Sequence, residues 1–143
     1  MSALWHREIA CAIMIDTRGR FLLQRRDDIV GILYPGKVGL FGGHREGDET
    51  FLDCVVREIH EEISYFVLAE QFEHLASLVD RAVDAERGSV REEVFIARGI
   101  SIDELVVTEG SLLVAEPAEI AEIAHILTPS TRFVMEVFGV PGF

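Results

Sequence analysis

Apolar residues fall in three kinds of run along this chain. Residues 8–16, EIACAIMID, are mostly apolar and rich in strand formers, and Thr17-Arg18-Gly19 makes a turn, so residues 20–26, RFLLQRR, read as a hairpin partner. Residues 27–43 carry five glycines and a proline and read as a long loop with one extended piece around 38–41. From Gly47 or Asp48 the period changes. Leu52, Val55, Val56, Ile59 and Ile63 recur at three- and four-residue steps, which predicts a helix with one apolar stripe, capped by Asp48 or Thr50.

Two further extended runs, 65–79 and 91–100, flank a polar segment that reads as a hairpin loop, and ELVVTEG (104–110) adds a short strand. Residues 116–127 have helical spacing behind Pro117. A final helix spans 128–139, with Pro129 in its first turn and Gly139 as its stop. No repeat or low-complexity tract interrupts the order. Strands with one helix among them and helices at the end predict an α/β (α+β) chain, a mixed sheet covered on both faces as an α/β/α sandwich. The whole of 1–143 is expected to form one domain.

Composition narrows the function classes. Apolar residues make up 49% and charged residues 27%, a globular balance, and no apolar run is long enough to cross a bilayer. Cys11 and Cys54 lack CxxC spacing and read as reduced, buried thiols of a cytoplasmic protein. The net charge of −12 argues against nucleic acid as a bulk partner, because duplex binding needs many cations on phosphate. A small anionic substrate remains compatible if metal ions reverse the local field.

The helix ends in REIHEE. At about 100° per residue Glu58, Glu61 and Glu62 share one flank, bordering the apolar stripe, while Arg57 points elsewhere. Three acids at the rim of a core repel one another and need positive charge. Hard divalent cations take such oxygen ligands, which makes a metal site one reading. The other is a solvated acidic helix end, which the helix dipole disfavours. Zinc chemistry of the HExxH kind is excluded, since Ser64 stands where the second histidine belongs. His60 falls away from the flank.

The spacing adds more. Gly43, five residues, Glu49, seven residues and then REIHEEISY resembles the Nudix box, GX5EX7REUXEEXGU with U a bulky apolar residue. Only the last glycine departs, being Ser64. FLLQRR and GLFGGH before the box and Glu109-Gly110 after it resemble MutT-like members, and the element order fits the Nudix sandwich, with the box helix on one face of the sheet. The resemblance implies a hydrolase that splits a nucleoside diphosphate linked to another moiety, with Mg²⁺ or Mn²⁺. It implies Glu58 and Glu62 as principal metal ligands, Glu61 as a further one, and the Gly42 carbonyl completing the shell. Arg57 would orient the acids and Glu49 would hold Arg57. Gly43 would permit a sharp turn by adopting positive φ. Glu61, Glu62 or the later Glu109 would serve as general base. Serine at position 64 costs about 1 kcal/mol if positive φ is needed there.

The substrate is less legible. No SQPWPFPxS run follows the box, and residues 77–82 hold no proline or tyrosine, so NADH, ADP-ribose and dinucleoside polyphosphates are not indicated. A nucleoside triphosphate or a nucleotide sugar is the expected small-molecule substrate. Trp5, Tyr34, Phe41, Phe72 and Phe95 are stacking candidates, although the phenylalanines also sit at core spacing. Arg25, Arg26, Lys37 and Arg45 are candidate phosphate contacts or ordinary surface charges. A non-catalytic domain that senses a nucleotide, and a purely structural metal-binding helix, are the alternatives. The apolar end, FVMEVFGVPGF, offers contacts for a homodimer and suits folding back equally well.

Overall fold

The computed structural model describes residues 7–79 and 89–143; Trp5 and most of the expected hairpin loop lie outside them. Strands β1 (Arg7–Asp16) and β2 (Phe21–Arg25) form the first hairpin. Asp16 builds its turn: one carboxylate oxygen accepts from the amides of Arg18 and Arg20, both at 2.9 Å, and the other from Arg20 Nε at 2.7 Å. Next come β3 (Val38–Gly39), β4 (Phe41–His44) and helix α1 (Phe51–Ile63). Strands β5 (Phe72–Val79), β6 (Val90–Ile100) and β7 (Ser111–Ala115) follow, and helix α2 (Pro129–Phe138) comes last.

The sheet runs β3-β2-β1-β6-β5, with β4 added to β1 and β7 to β2. β1 and β6 are parallel and the other pairs antiparallel, so the sheet is mixed as expected. β1 changes partner along its length. Ile9–Ala12 face β4, whereas Met14 and Ile15 face β2. The sheet therefore opens between β4 and β2, and that split positions the site described below.

Alternation along the strands gives each face its own core. Ala10, Ala12, Met14, Leu22, Phe41 and Phe95 pack under α1, against Val55, Ile59 and Ile63. Cys11, Ile13, Phe21, Leu23, Val94 and Ile96 pack against Val134 and Met135 of α2. Burying Val55, Ile59 and Ile63 contributes about 1.5–3 kcal/mol each. Thr50 caps α1, its side chain accepting from Asp53 N at 3.0 Å. Among the described residues no helix is long and apolar enough to cross a membrane.

Three expectations change. The extended run from 65 begins as a strand only at Phe72, after a 3-10 turn at Ala69–Gln71. The strand expected at 104–110 is displaced to Ser111–Ala115, which pairs with β2. Residues 106–108 instead cover the end of α1: Val106 N donates to Ile63 O at 3.0 Å and Thr108 N to Glu62 O at 2.8 Å. These last-turn carbonyls have no partner inside the helix, so a segment that supplies N–H groups has a use there other than a sheet. Residues Pro117–Ile126 form 3-10 rather than α-helix. Glu116 N donates to Glu119 Oε1 at 2.8 Å there, a local bond that fixes the first turn.

Ser64 ends α1 in the left-handed region, φ 52 and ψ 30, with its amide bonded to His60 O at 3.0 Å. The position thus needs the conformation that glycine adopts at least cost. Ser64→Gly is expected to raise stability by about 0.5–1 kcal/mol, the relief of Cβ strain less the added freedom of the unfolded chain. An unchanged or lower urea midpoint would contradict this.

Candidate active site

The acids meet where the open sheet touches the end of α1. Glu62, on the last turn, is 4% exposed. Its Oε1 accepts from Gly42 N at 2.7 Å and its Oε2 from Gln24 Nε2 at 3.4 Å, so it reaches across the split between β4 and β2. Gln24 Nε2 also donates to Glu109 O at 3.0 Å. Thr108, the residue before Glu109, donates through Oγ1 to Glu61 O at 2.9 Å. Covering the helix end thus delivers Glu109 to Glu62, and the two side chains share a hydrogen bond. Gln24 and Thr108 were not among the residues expected here. A polar residue inside the apolar FLLQRR was the one signal for Gln24.

Arg57 corrects the helical-wheel expectation that it points elsewhere. Its guanidinium folds back over the acids. Nη2 lies 2.6 Å from Glu49 Oε1 and Nε 3.1 Å from Glu49 Oε2, a bidentate pair. Nη1 lies 2.9 Å from Glu58 Oε1 and 3.3 Å from Glu61 Oε2, and Nη2 also donates to His44 O at 3.0 Å. A long flexible stem lets the charge swing well away from the direction of its Cβ.

Gly43 needs a different explanation from the one expected. It lies in β4 and has no positive φ. Its Cα faces the Glu58 carboxylate so closely that any Cβ would collide with that group. A larger residue would push Glu58 out of place. Gly42 does take φ +154, and a Cβ there would strike Ala10 O and Cys11. The structure shows the Gly42 amide, on Glu62, as its contribution to the cluster.

Burial and like charge act together on these acids. Burial pushes Glu62 up to about 8, with the charges of Glu109 and Glu58 adding to the rise against the Gly42 hydrogen bond. Glu58 is also raised by burial, opposed by Arg57. Glu49 goes the other way, to about 2, chiefly through its hydrogen bonds from Arg57. Glu61 is half-exposed, on Arg57. Among the described residues no three His, Cys, Asp or Glu side chains converge as a ready-made metal cluster. What the site holds is oxygen donors under mutual repulsion, which suits a hard divalent cation.

The expected substrate contacts are dispersed. Arg45 is taken up by Glu8, at 2.5 Å, and by the carbonyls of Gly47 and Glu49 at 3.2 and 3.0 Å. Lys37 is 3.5 Å from His125 O, and Arg25 is an exposed residue at the end of β2. Phe41, Phe72 and Phe95 are buried in the core under α1, so none is open for stacking. Tyr34 lines a cavity of ≈ 130 Å³ on the other side of the sheet. Gln24, Arg26, Asp27, Ile29 and Glu109 border a second, of ≈ 190 Å³, beside the acids.

The NUDIX domain matches residues 5–131. The chain therefore belongs to the NUDIX family, and its class is that of the Nudix hydrolases, which act on nucleoside diphosphate derivatives. It is similar in structure to the MutT protein from Methanosarcina mazei Go1, at TM-score 0.79 and 20% identity, over 97% of this chain and 96% of that one. It is also similar to a MutT NUDIX hydrolase from Burkholderia pseudomallei, at TM-score 0.71 and 23% identity, over 92% and 97%. A third likeness is to a bifunctional NMN adenylyltransferase/ADP ribose pyrophosphatase from Francisella tularensis, solved with AMP and a Mn ion, at TM-score 0.76 and 17% identity, over 97% of this chain and 43% of that one. No curated protein matches the chain.

The raised Glu62 fixes the sign of a pH effect. Its folded value of about 8 stands above the ordinary 4.5, so the native state holds its proton more tightly. That contribution is complete below pH 4.5, declines as pH rises towards 8, and is gone above it. The metal-free protein is thus expected to melt at falling temperature between about pH 5 and 8, and Glu62→Gln to flatten the decline. A slope equally steep in the variant would contradict it.

Proposed function

We propose that the chain is a metal-dependent pyrophosphohydrolase whose substrate is a nucleoside triphosphate or a nucleotide sugar. The observation that carries this reading is the gathering of Glu58, Glu62 and Glu109 beside an arginine anchored from behind by Glu49. The raised, mutually repelling carboxylates fit a divalent cation, and Glu58, Glu61, Glu62 and the Gly42 carbonyl are the groups that would hold it. Mg²⁺ is the expected ion, and Mn²⁺, which accompanies AMP in the Francisella protein, suits the same oxygen donors. When bound, the ion neutralises and polarises the diphosphate oxygens and activates water.

The protein's own groups do the positioning. Arg57, pinned by Glu49, keeps Glu58 and Glu61 from moving apart, holding Glu58 by Oε1 and Glu61 by both oxygens at 3.3–3.4 Å. Gly42 N–H and Gln24 hold Glu62 at the split. Glu109 is exposed, on a loop and clear of Arg57, which makes it the carboxylate best placed to take the proton of the attacking water. Glu62, sharing a hydrogen bond with it, keeps that proton within the pair. Pyrophosphate cleavage asks little covalent chemistry of the protein, so fixed geometry and charge supply most of the rate.

Phosphate-release screening over nucleotides and nucleotide sugars, with and without Mg²⁺, tests the reading. Turnover that requires the ion is expected, and Glu58→Gln and Glu62→Gln should each lower it by about a hundredfold or more without loss of folding. Binding without turnover over the whole panel would replace the enzyme by a nucleotide sensor. Undiminished turnover in the variants would remove the assigned roles.

A further inference from the structure

Glu109 and Gly110 form a short link between two anchors. Before them, Thr108 is bonded to the end of α1, its amide donating to Glu62 O at 2.8 Å and its hydroxyl to Glu61 O at 2.9 Å. After them the β7 ladder begins at once, with Ser111 opposite Arg25 and Leu112 opposite Gln24 of β2. Gly110 lies hard against that strand. A Cβ on it would stand 2.5 Å from Arg25 O and 3.2 Å from Gln24 Cγ, and its φ of +68 independently favours glycine. Glu109, an exposed loop acid, is thus carried on closely confined backbone.

Gln24 joins this link to the acid beneath it. It is buried, 4% exposed, at the polar end of the otherwise apolar run 21–24. Its Nε2 reaches Glu109 O at 3.0 Å and Glu62 Oε2 at 3.4 Å. Both neighbours are acceptors, so the amide nitrogen must face them, one N–H on the backbone of one acid and one on the carboxylate of the other. The residue type matters here. Arginine or lysine would serve the same acceptors, but the added charge would offset the negative field of the acids and compete with a cation. Aspartate or glutamate would add another repelling carboxylate. Methionine or leucine would fill the space and leave both acceptors without a donor. A neutral side chain with two donors meets every requirement.

We propose that Gln24 is a positioning residue, which fixes Glu109 against Glu62 and through that placement sets the rate of the proton transfer assigned to Glu109. The contacts close a ring: Gln24 to Glu62 Oε2, Glu62 to Glu109 through their side chains, and Glu109 O back to Gln24. A carboxylate takes a proton efficiently only from hydrogen-bond distance, and a misplacement of about 1 Å costs about a hundredfold in rate. Freed from Gln24, the turn at Glu109 and Gly110 would keep its anchors at Thr108 and Ser111 and lose the bond that aims the acid. The effect therefore passes through another residue and depends on residue 109 being an acid. The proposal rests on the reading of Glu109 as the carboxylate that receives the proton of the attacking water.

A double-mutant cycle in steady-state hydrolysis tests the coupling. Gln24→Met should lower kcat about tenfold or more while changing KM less than about threefold. In a Glu109→Gln background the same substitution should cost less than about twofold, because the group it positions is gone. A residue that only supported the fold would cost the same in both backgrounds, and that result would overturn the proposal. So would an unchanged kcat in Gln24→Met, or undiminished turnover in Glu109→Gln. If Gln24→Met fails to fold, Gly110→Ala, which pushes the same turn off β2, takes its place in the cycle with the same expected pattern. NMR order parameters of the metal-free protein give a readout apart from turnover. Those of the Glu109 and Gly110 amides should fall in Gln24→Met while those of Val55 and Ile59 hold; values that do not move would overturn the proposal. Additive losses in an active enzyme would remove the role of Gln24 and spare the proposed function. A wild type that hydrolyses nothing would remove that function, and the order parameters would then decide whether Gln24 fixes the turn.

Discussion

Crowded negative charge at the end of α1 is the constraint around which the rest is arranged. Glu109 raises the proton affinity of both Glu58 and Glu62, and Glu58 that of Glu62, against the Arg57 guanidinium, the Gly42 amide and the Gln24 side-chain amide. Left alone, such a group relaxes by splaying or by taking up protons. Here it is held. Glu49 clamps Arg57 on two oxygens, Gly43 leaves room for the Glu58 carboxylate, and residues 106–108 close the helix end. The opposite shifts of Glu49 and Glu62, to about 2 and about 8, measure this division between a residue that anchors and one kept under strain.

The sheet contributes an opening rather than a wall. Because β1 gives its first half to β4 and its second to β2, a gap forms that Glu62 and Gln24 fill from one side and Arg26 borders. That geometry lets the crowded acids and a cavity of ≈ 130 Å³ on the opposite side of the sheet share one short stretch of backbone.

Much of this was legible in the sequence, for local reasons. The three- and four-residue apolar steps fixed α1, and Thr50 was a readable cap. The spacing from Gly43 to Glu62 implied which acids belong together, and the Glu49–Arg57 pair stands where it was expected. What escaped depends on partners distant in the chain. ELVVTEG has strand composition, but its amides answer the carbonyls of α1, and SLLVA becomes the strand because β2 lies open to it. Gly43 announces a small residue without saying whether dihedral freedom or close approach demands it. Arg57 could not be placed from its Cβ direction, since four bonds of stem let it turn back. Phe41, Phe72 and Phe95 look alike as stackers or as core until the second layer is known.

The most direct measurement is anomalous diffraction from crystals of the protein grown with Mn²⁺. The expected result is a manganese peak bonded to carboxylate oxygens of Glu58 and Glu62, with Arg57 still seated on Glu49. Crystals saturated with the ion but showing no peak there, with both side chains still turned to Arg57 and the Gly42 amide, would contradict the reading of these acids as a metal site.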